Sequence, residues 1–366
     1  MTYRLLLDAR LLHYNRTGIG RYIRHLYDSM ARAHPGYELT IGYSWRDAER
    51  GLSRVSPRAT ALWTPPHHPA ERWALAAELV RHRPTLVHSP DHVCPQPLSW
   101  RAVLTVHDLA FWRMPESHER ASRAYYDGLR RSAEQATRII CVSHATKRDL
   151  LNECPGVAEK VRVVHEAPDP MYQSASRQPS ALASGRPYFV FVGTIAPRKN
   201  VARIVQAFAQ VVARTDGSDR PELLIVGADG YGAAAVRQLP AALGIASHVR
   251  FLGPQPAGEV VRLYQNTLAL VFPSLLEGFG LPVLEAMAAS APVSTSNRTS
   301  LPEVAGEAAL LVDPEDVDDL AEAMLGLATD ESLRERLRTA GRAQASRFSW
   351  ERTARETLAV FAEAVA

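Results

Sequence analysis

Two glutamates flank a glycine-containing turn in the second half of the chain. The segment Glu277-Gly-Phe-Gly-Leu-Pro-Val-Leu-Glu285 follows the apolar run LALVFPS. Because proline is favoured in a first helical turn, a helix is expected to begin near Pro282, with Glu285 in its first turn. Gly278 and Gly280 let backbone amides approach a ligand. The amides and the positive helix end suit an anion such as a diphosphate, and the carboxylates suit sugar hydroxyls. A purely structural junction, with Glu285 stabilising the helix dipole, fits the local pattern equally well.

A pair of adjacent cations, Arg198 and Lys199, follows a second apolar run in the segment FVGTIAPRKN. A forked guanidinium beside a compact ammonium suits a diphosphate that gains charge as its substituent leaves. Taken alone, such a pair is more often a solvated loop. Lys199 is one of three lysines among 42 basic residues, but the arginine bias of the whole chain accounts for that scarcity.

Polar residues also follow apolar runs in the first half of the chain. Gly18 and Gly20 lie in TGIGRY, but a lone G-x-G is usually a tight turn. Ile23 occupies the last position of the dinucleotide fingerprint, which disfavours an oxidoreductase. His107 ends the run AVLTV, where a histidine satisfied by backbone groups is the ordinary alternative. Weaker candidates of the same kind are Ser143, His144, His13, Arg16 and Arg21.

The segment Asp316-Val-Asp318 matches a D-x-D metal-binding pattern. It lies in PEDVDDLAEAM, where acidic residues open a helical pattern and complement the helix dipole. We therefore interpret it as structural and predict no metal site there.

Short apolar runs alternate with amphipathic stretches along the whole chain, which predicts parallel sheets with crossover helices. Two series of such runs are separated by QSASRQPSALASGRP, a segment rich in serine, alanine and proline. The sequence thus predicts an α/β protein of two Rossmann-like, doubly wound domains that face each other across a cleft. The predicted extents are residues 1–170, a linker at 171–187, a second domain at 188–348 and a C-terminal helix at 349–366. That helix either packs on its own domain or returns to the first.

Bulk composition limits the class of protein. The 366 residues are 46% hydrophobic and 22% charged, as in soluble globular proteins, and no long apolar run predicts a membrane span. The N-terminus is expected to form a buried strand and not a signal peptide, because Asp8 and Arg10 interrupt its apolar stretch. Three cysteines without metal-type spacing favour a reduced, cytoplasmic setting.

Charge differs between the two halves. Through residue 173 there are 24 basic and 18 acidic residues, a balance of +6, and the remainder holds 18 basic and 21 acidic, a balance of −3. A basic first half is compatible with peripheral association at an anionic membrane surface, although an ordinary solvated face explains it as well. With neither a nucleic-acid-binding module nor a basic stripe, no nucleic-acid partner is predicted.

The E-x7-E segment and its surroundings resemble the retaining GT-B glycosyltransferases of family 4, also called group 1. The resemblance includes VFPSLLEGFGLPVLEAMA, SLPEVAGEAALLVDPED, FVGTIAPRKN, IVGADG, VRFLG, TGIGRY and VHDL, in the family's order and over nearly the whole chain. The sequence departs from the family pattern at Ala289-Ser290-Ala291-Pro292. It also departs in QNTLALVFPS, which lacks an acidic residue that is common in the family at this segment.

The resemblance implies an acceptor domain followed by a donor domain, and a role for each matched position. It implies catalytic roles for His107, Arg198, Lys199 and Glu277. Donor-binding positions would be Gly18, Gly20, Gly193, Thr194, Arg198, Lys199, Gly253, Glu277, Gly278, Phe279, Gly280, Leu281 and Glu285. Glu277 would hold sugar hydroxyls, Glu285 the ribose, and Arg198 with Lys199 the diphosphate.

The resemblance also implies a reaction: transfer of a hexose from a nucleotide sugar, with retention of configuration and without a metal ion or other cofactor. Its similarity to bacterial mannosyltransferases of polysaccharide and glycolipid assembly favours GDP-mannose over a UDP-hexose, and a glycan or lipid-linked acceptor. Three alternatives stay open at this stage: a sugar-nucleotide epimerase, a sugar phosphorylase on the same scaffold, or a non-catalytic sugar-nucleotide-binding protein.

Overall fold

The computed structural model describes residues 3–14, 18–33, 36–46, 58–115, 128–173, 178–215, 217 and 220–366. The chain divides into two compact units, one of Met1–Ala167 with Ser349–Ala366 and one of Pro168–Phe348. Each unit contains its own parallel sheet. Among the helices described, none is long and apolar enough to cross a membrane.

The first unit is built on a seven-stranded parallel sheet in the order β3-β2-β1-β4-β5-β6-β7. Its strands are β1 (Tyr3–Asp8), β2 (Tyr37–Ser44), β3 (Ala59–Leu62), β4 (Leu86–Ser89), β5 (Arg101–Val106), β6 (Arg138–Cys141) and β7 (Val161–Val163). The described helices between them are α1 (Gly18–Ala33), α2 (Glu71–Leu79), α3 (Ala110–Arg113), α4 (Gly128–Gln135) and α5 (His144–Glu153). Leu5, Leu6 and Leu7 of β1 are all buried, as expected of a central strand covered on both faces.

The second unit is built on a six-stranded parallel sheet in the order β10-β9-β8-β11-β12-β13. Its strands are β8 (Tyr188–Val192), β9 (Glu222–Val226), β10 (Val249–Gly253), β11 (Ala269–Phe272), β12 (Val293–Ser296) and β13 (Leu310–Val312). Its described helices are α6 (Val201–Arg214), α7 (Ala233–Ala242), α8 (Ala257–Asn266), α9 (Leu281–Ala288), α10 (Leu301–Ala305), α11 (Val317–Thr329) and α12 (Glu331–Ala345). In α6 the residues Ile204, Val205, Phe208, Val211 and Val212 form the buried stripe of an amphipathic helix.

Both sheets reverse their strand order once, and these reversals locate the ligand edges. In the first sheet β2 and β3 lie on one side of β1 and β4 on the other, and in the second sheet β9 and β10 lie on one side of β8 and β11 on the other. Ligands of open parallel sheets bind beyond the carboxyl ends of the strands at such a reversal. The loops after β8 and β11 therefore form the expected ligand edge of the second unit.

The C-terminal helix, whose docking the sequence left open, belongs to the first unit. This helix, α13 (Trp350–Val365), packs against α1. The His25 and Trp350 rings stack with centroids 5.3 Å apart, and Thr353 Oγ1 donates to His165 O at 2.8 Å.

The segment predicted as a linker is anchored to the second unit in its described parts. Pro170–Gln173 form a short 3-10 turn with Tyr172 buried. Further along, Ser180 is buried and its hydroxyl donates to Glu259, and Arg250 donates to Leu182 O at 2.8 Å. These bonds hold the segment that precedes β8 against α8 and β10.

The sequence did not predict β3, because its four residues, ATAL, lack a branched apolar run. It correctly placed the other described strands of both sheets, whose buried runs are longer or richer in valine, isoleucine and leucine. The sequence between β5 and β6 also has a helical pattern over 120–136, of which 120–127 lie outside the described residues and the rest contains α4. All three cysteines are buried and free.

A glycine contact joins the ends of β8 and β9 in the second unit. Gly227 has a φ of +146°, and a Cβ at this position would overlap Gly193 O. We expect Gly227→Ala to lower the free energy of unfolding of the second unit by about 2 kcal/mol or more, through backbone strain and steric overlap. Urea denaturation followed by far-UV circular dichroism measures this effect.

Gly258→Ala is the matched control for this prediction, because Gly258 lies in α8 and a Cβ there would have no described neighbour within 4 Å. Alanine has the higher helix propensity, so this variant should be as stable as the wild type or slightly more stable. Equal stability of the two variants would contradict the steric argument.

Candidate functional site

The predicted cations and the first predicted glutamate meet at the ligand edge of the second unit. Arg198 and Lys199 lie in a 3-10 turn (Pro197–Lys199) after β8, and Glu277 lies in the loop after β11. Lys199 Nζ donates to Glu277 Oε1 at 2.5 Å, and Arg198 Nη1 lies 3.5 Å from Glu277 Oε2. Lys199 is only 8% exposed and Glu277 9%, so this ion pair is largely removed from water. Lys199 is therefore not part of a solvated loop, while the Arg198 side chain remains 25% exposed beside it.

Backbone bonds and one asparagine hold the two loops of this site together. Leu275 N donates to Arg198 O at 2.8 Å, which ties the β11 loop directly to the cation turn. Asn200, with a left-handed φ of +61°, ends that turn, and its side chain donates to Pro273 O at 3.0 Å and to Pro314 O at 2.6 Å. The cations thus sit on a braced turn whose position is set by two neighbouring loops.

The glycine turn after Glu277 is anchored from the loop between β12 and α10. Ser300 Oγ donates to Glu277 O at 3.0 Å and to Phe279 O at 2.8 Å. Thr299 Oγ1 accepts from Glu277 N at 3.2 Å. The turn enters α9 through Gly280, whose φ of +109° favours glycine and whose Cβ would lie 2.7 Å from Leu301 Cδ2. The backbone conformation therefore favours glycine here, and a larger residue would also displace the Leu301 side chain.

The helix after the glycine turn begins at Leu281, with Pro282 in its first turn, as the sequence predicts. The placement of Glu285 was wrong: it is the fifth helical residue and lies beyond the first turn, which holds no acidic residue. Its side chain is almost fully buried. The alternative in which Glu285 merely complements the helix dipole is therefore weakened, because that effect is confined to the first turn.

The other residues predicted to bind the donor in the second unit lie in loops at the same edge of the sheet. Gly193 N donates to Val226 O at 2.9 Å, and Gly227 N donates to Gly253 O at 3.0 Å, so the ends of β8, β9 and β10 are linked. Thr194 is exposed at this edge. Gly278 and Phe279 lie in the β11 loop, where the Phe279 ring packs edge-on against Phe348 with centroids 6.0 Å apart.

In the first unit, His107 is held between two acceptors at the end of β5. His107 Nδ1 lies 2.9 Å from Glu166 Oε1, and His107 Nε2 lies 2.9 Å from Pro90 O. Burial disfavours the charged imidazole, but the hydrogen bond and negative charge of Glu166 outweigh it and raise the pKa of His107. Both ring nitrogens can donate at once only in the imidazolium form.

A second histidine beside His107 is held neutral. Burial, with the neighbouring His107, lowers the pKa of His88 to about 3. The two His88 nitrogens bond Tyr27 Oη at 3.0 Å and Thr105 Oγ1 at 2.8 Å. Tyr22 continues this network through Thr105 at 3.2 Å and packs its ring edge-on against His107. The raised pKa of His107 and the lowered pKa of His88 thus distinguish two neighbouring buried histidines.

Another ion pair, which the sequence did not reveal, follows β4. Asp91 contacts His92, and His67 Nε2 lies 3.4 Å from Asp91 Oδ2. Burial opposes ionisation of Asp91, yet His92 and His67 hold its pKa well below the usual range. Asp91, His92 and Glu166 carry no recognisable signal in the sequence, because only the folded chain brings these separate segments together.

The glycine loop of the first unit lies at the start of α1. Gly18 is the first residue of α1, with a φ of +38°, and Gly20 is buried in its first turn. Arg16 and Thr17 lie outside the described residues. His13 ends a short 3-10 turn and packs edge-on against Tyr14.

Two other sequence interpretations have direct structural counterparts. Ser143 is the N-cap of α5, where its hydroxyl accepts from Thr146 N at 3.0 Å, and His144 begins that helix. Asp316 caps α11 by accepting from Asp318 N at 2.9 Å and Asp319 N at 3.1 Å. The helix-opening role of the Asp316 segment is therefore confirmed.

The site in the second unit has the chemistry of an anion-binding edge with a carboxylate attached to it. Arg198 and Lys199 supply positive charge at a braced turn, and Glu277 supplies a hydrogen-bond acceptor next to them. The sequence did not single out Asn200, Thr299 or Ser300, which hold this arrangement. Small polar residues on loops carry no distinctive spacing, so no sequence signal marked them.

Comparison with known proteins gives a consistent result along the chain. Residues 16–170 match the family described as Glycosyltransferase Family 4, and residues 173–344 match the family described as Glycosyl transferases group 1. The O-antigen chain mannosyltransferase B of Escherichia coli is 30% identical, covering 97% of this chain and 98% of that protein. A likeness of this extent spans both units.

Solved structures share the fold at lower identity. Sucrose-phosphate synthase from Thermosynechococcus elongatus aligns with a TM-score of 0.76 at 22% identity, covering 99% of this chain and 98% of that one. The Anabaena protein HepE, in complex with UDP and glucose, aligns with a TM-score of 0.76 at 17% identity, covering 99% of this chain and 100% of that one. These findings do not favour the epimerase, phosphorylase or non-catalytic alternatives. The chain belongs to the group 1 (family 4) glycosyltransferases, has their two-domain α/β GT-B fold, and resembles bacterial mannosyltransferases.

Proposed function

We propose that this glycosyltransferase moves a hexose, most favourably mannose, from a nucleotide sugar to a glycan or lipid-linked acceptor with retention of anomeric configuration. The buried contact of Lys199 and Arg198 with Glu277, at the strand-order reversal of the second sheet, carries this proposal. Three charged groups that are costly to bury are kept together at an edge where ligands bind. Support for mannose comes from the mannosyltransferase of Escherichia coli, and support for a nucleotide donor comes from the complex of HepE with UDP and glucose.

The proposed donor site assigns the diphosphate to Arg198, Lys199 and the backbone amides near Gly193 and Gly280. In the reaction the bond from the sugar anomeric carbon to the diphosphate oxygen breaks, and a bond to the acceptor oxygen forms on the same face. The departing diphosphate accepts the proton of the acceptor hydroxyl. Cationic side chains stabilise the charge that develops on the diphosphate, so the proposal includes no metal ion or other cofactor.

Glu277 is proposed to hold hydroxyls of the transferred sugar. Its two oxygens face different cations, Lys199 at 2.5 Å and Arg198 at 3.5 Å, so its orientation is set before any ligand arrives. Preorganised polar groups of this kind avoid the cost of reorganisation during the reaction. Glu285, buried in α9, is proposed to act on the ribose as the resemblance implies.

Replacing Glu277 tests the assignment of this site. We expect Glu277→Gln to lower kcat by about 100-fold or more, because a neutral amide neither pairs with Lys199 nor holds sugar hydroxyls as strongly. Steady-state release of nucleoside diphosphate in the presence of acceptor measures the effect. Glu322→Gln, which alters an exposed ion pair with Arg214 in the same unit, should keep the wild-type kcat. Wild-type turnover in Glu277→Gln would overturn the assignment.

Donor identity is tested by thermal stabilisation. GDP-mannose at about 100 times its Kd should stabilise the protein by about 2.7 kcal/mol, and UDP-glucose at the same concentration by less. The Lys199→Met variant should reduce the stabilisation by both donors, since the diphosphate that they share loses its buried cation. A chelator present throughout should leave both stabilisation and transfer unchanged. Stronger stabilisation by UDP-glucose would replace mannose in the proposal.

Retention of the anomeric configuration is tested by NMR of the product. With the α-anomer of GDP-mannose as donor, NMR of the product should show an α-linkage. A β-linked product would exclude retention while leaving the assignment as a glycosyltransferase intact.

His107 is proposed to act near the transferred sugar as an imidazolium. Because its folded pKa is raised, the His107–Glu166 pair should stabilise the first unit fully below the unfolded pKa of about 6.5. This stabilisation should disappear as pH rises through the raised pKa. We therefore expect the difference in unfolding free energy between wild type and Glu166→Gln to be largest below about pH 6.5 and to shrink as pH rises through the raised pKa of His107.

Urea unfolding at several pH values measures this difference, with Glu153→Gln as the control. Glu153 pairs with Arg130 at 3.5 Å on the surface of the same unit, so its replacement should give a small difference that does not vary over this pH range. A difference for Glu166→Gln that stays constant with pH would show that His107 is not charged in the folded protein.

A further inference from the structure

Three tryptophans of the first unit have exposed side chains. Trp45 is 46% exposed, and Trp63 and Trp73 are each 61% exposed. They are half of the six tryptophans in the chain. An exposed tryptophan lacks the large favourable free energy that burial of its indole ring would give. Neighbouring exposed tryptophans therefore indicate a surface that another molecule covers.

Strand register brings two of these tryptophans together. Ser44 of β2 pairs with Leu62 of β3, and Trp45 N donates to Leu62 O at 3.0 Å. The next residues, Trp45 and Trp63, therefore lie side by side just beyond the carboxyl ends of their parallel strands. Their rings stack with centroids 5.0 Å apart and an interplanar angle of 20°. We call this stacked pair the tryptophan platform.

The tryptophan platform is braced by polar groups. Glu78 of α2 accepts from Trp63 N at 2.7 Å and from Thr64 N at 3.1 Å. The Arg46 guanidinium lies 5.3 Å from the centre of the Trp45 ring. A rigid aromatic surface loses little conformational entropy when it binds a ligand, and the charged neighbours offer hydrogen bonds to hydroxyl groups.

Pyranose rings match this combination of surfaces. Their faces carry C–H groups with partial positive charge, which pack on the electron-rich faces of indole rings, while their hydroxyls point outward to polar neighbours. The platform also follows β2 and β3 on the same edge of the sheet as the loops after β1 and β4. With strands spaced about 4.8 Å apart, Trp63 lies four strand spacings, about 19 Å, from the end of β5, where His107 is proposed to act on the transferred sugar. This distance is roughly the span of four pyranose rings.

We propose that the tryptophan platform binds sugar residues of the acceptor glycan about four rings away from the reacting hydroxyl. This inference rests on the proposed function and adds an acceptor class to it: a glycan of several residues. The platform then acts through acceptor binding and contributes nothing to the chemical step.

Binding is tested by electrophoresis of the native protein in gels that contain yeast mannan or dextran. Mobility of the wild type should be retarded by at least one polymer, and Trp63→Ala and Trp45→Ala should weaken the apparent Kd by roughly tenfold. Trp63→Phe should restore much of the loss, because it keeps an aromatic face. An unretarded wild type, or equal retardation of Trp63→Ala, would overturn the proposal.

Trp73→Ala is the matched control. Trp73 has the same exposed fraction as Trp63 and also has an arginine, Arg72, against its ring at 5.4 Å, but no second indole stacks on it among the described residues. The retardation of the Trp73→Ala variant should equal that of the wild type. An equal loss in Trp73→Ala would show that exposed aromatic area in general, and not the stacked pair, is responsible.

Acceptor kinetics provide a second readout. With mannose oligomers of one to about seven residues as acceptors, KM of the wild type should fall as the oligomer lengthens past about three residues and reaches the platform. In Trp63→Ala the KM should stay flat, while kcat is unchanged. A fall in kcat without a change in KM would contradict a binding role.

Sedimentation with phosphatidylglycerol vesicles separates a membrane role from a glycan role. Loss of vesicle binding in Trp63→Ala with unchanged glycan retardation would overturn the proposal in favour of membrane contact. Thermal stabilisation by GDP-mannose is measured in parallel and should be the same in wild type and Trp63→Ala. Absence of donor stabilisation in both proteins, with glycan retardation intact, would count against the proposed function alone.

Discussion

The buried ion pair between Lys199 and Glu277 is the interaction on which the second unit's ligand edge depends. It joins the loop after β8 to the loop after β11, and these two strands are neighbours at the reversal in strand order. Removing one partner from a buried pair typically costs about 3–5 kcal/mol, because the other charge is left without compensation. The braced turn at Asn200 and the Thr299–Ser300 anchor both hold the ends of this pair in place. A ligand anion arriving here meets charges that are already oriented.

The two units differ in the charged groups at the carboxyl edges of their sheets. In the second, two cations share one carboxylate, which leaves the edge suited to an anionic ligand. In the first, the charged groups are largely matched: His107 pairs with Glu166, and His92 pairs with Asp91. A charge-balanced edge suits a neutral polyhydroxylated ligand better than an anion.

Most of the fold and part of the site could be predicted from the sequence. Parallel strands buried on both faces appear as apolar runs, so twelve of the thirteen described strands were recognisable, and β3 was missed because ATAL lacks that pattern. Arg198, Lys199 and Glu277 were singled out as candidates by residue type and position after strands, and the family resemblance then favoured a binding role over a solvated loop or a structural junction. Glu285 was assigned to the right helix but to the wrong turn, because the helix begins one residue earlier than the proline suggested. Glu166 and Asp91 could not be found, since their significance comes only from what lies opposite them.

By itself, the sequence determined which residues follow strands, which turns need glycine and which segments are helical, because these depend on local spacing and backbone preference. Tertiary structure decided which of those residues meet. Pairing order placed β8 beside β11 and so brought Lys199 to Glu277 across 78 positions of sequence. Strand register placed Trp45 beside Trp63, and packing directed the C-terminal helix to the first unit. Contacts between distant segments depend on the burial of whole sheets and helices, and no local pattern of residues encodes that.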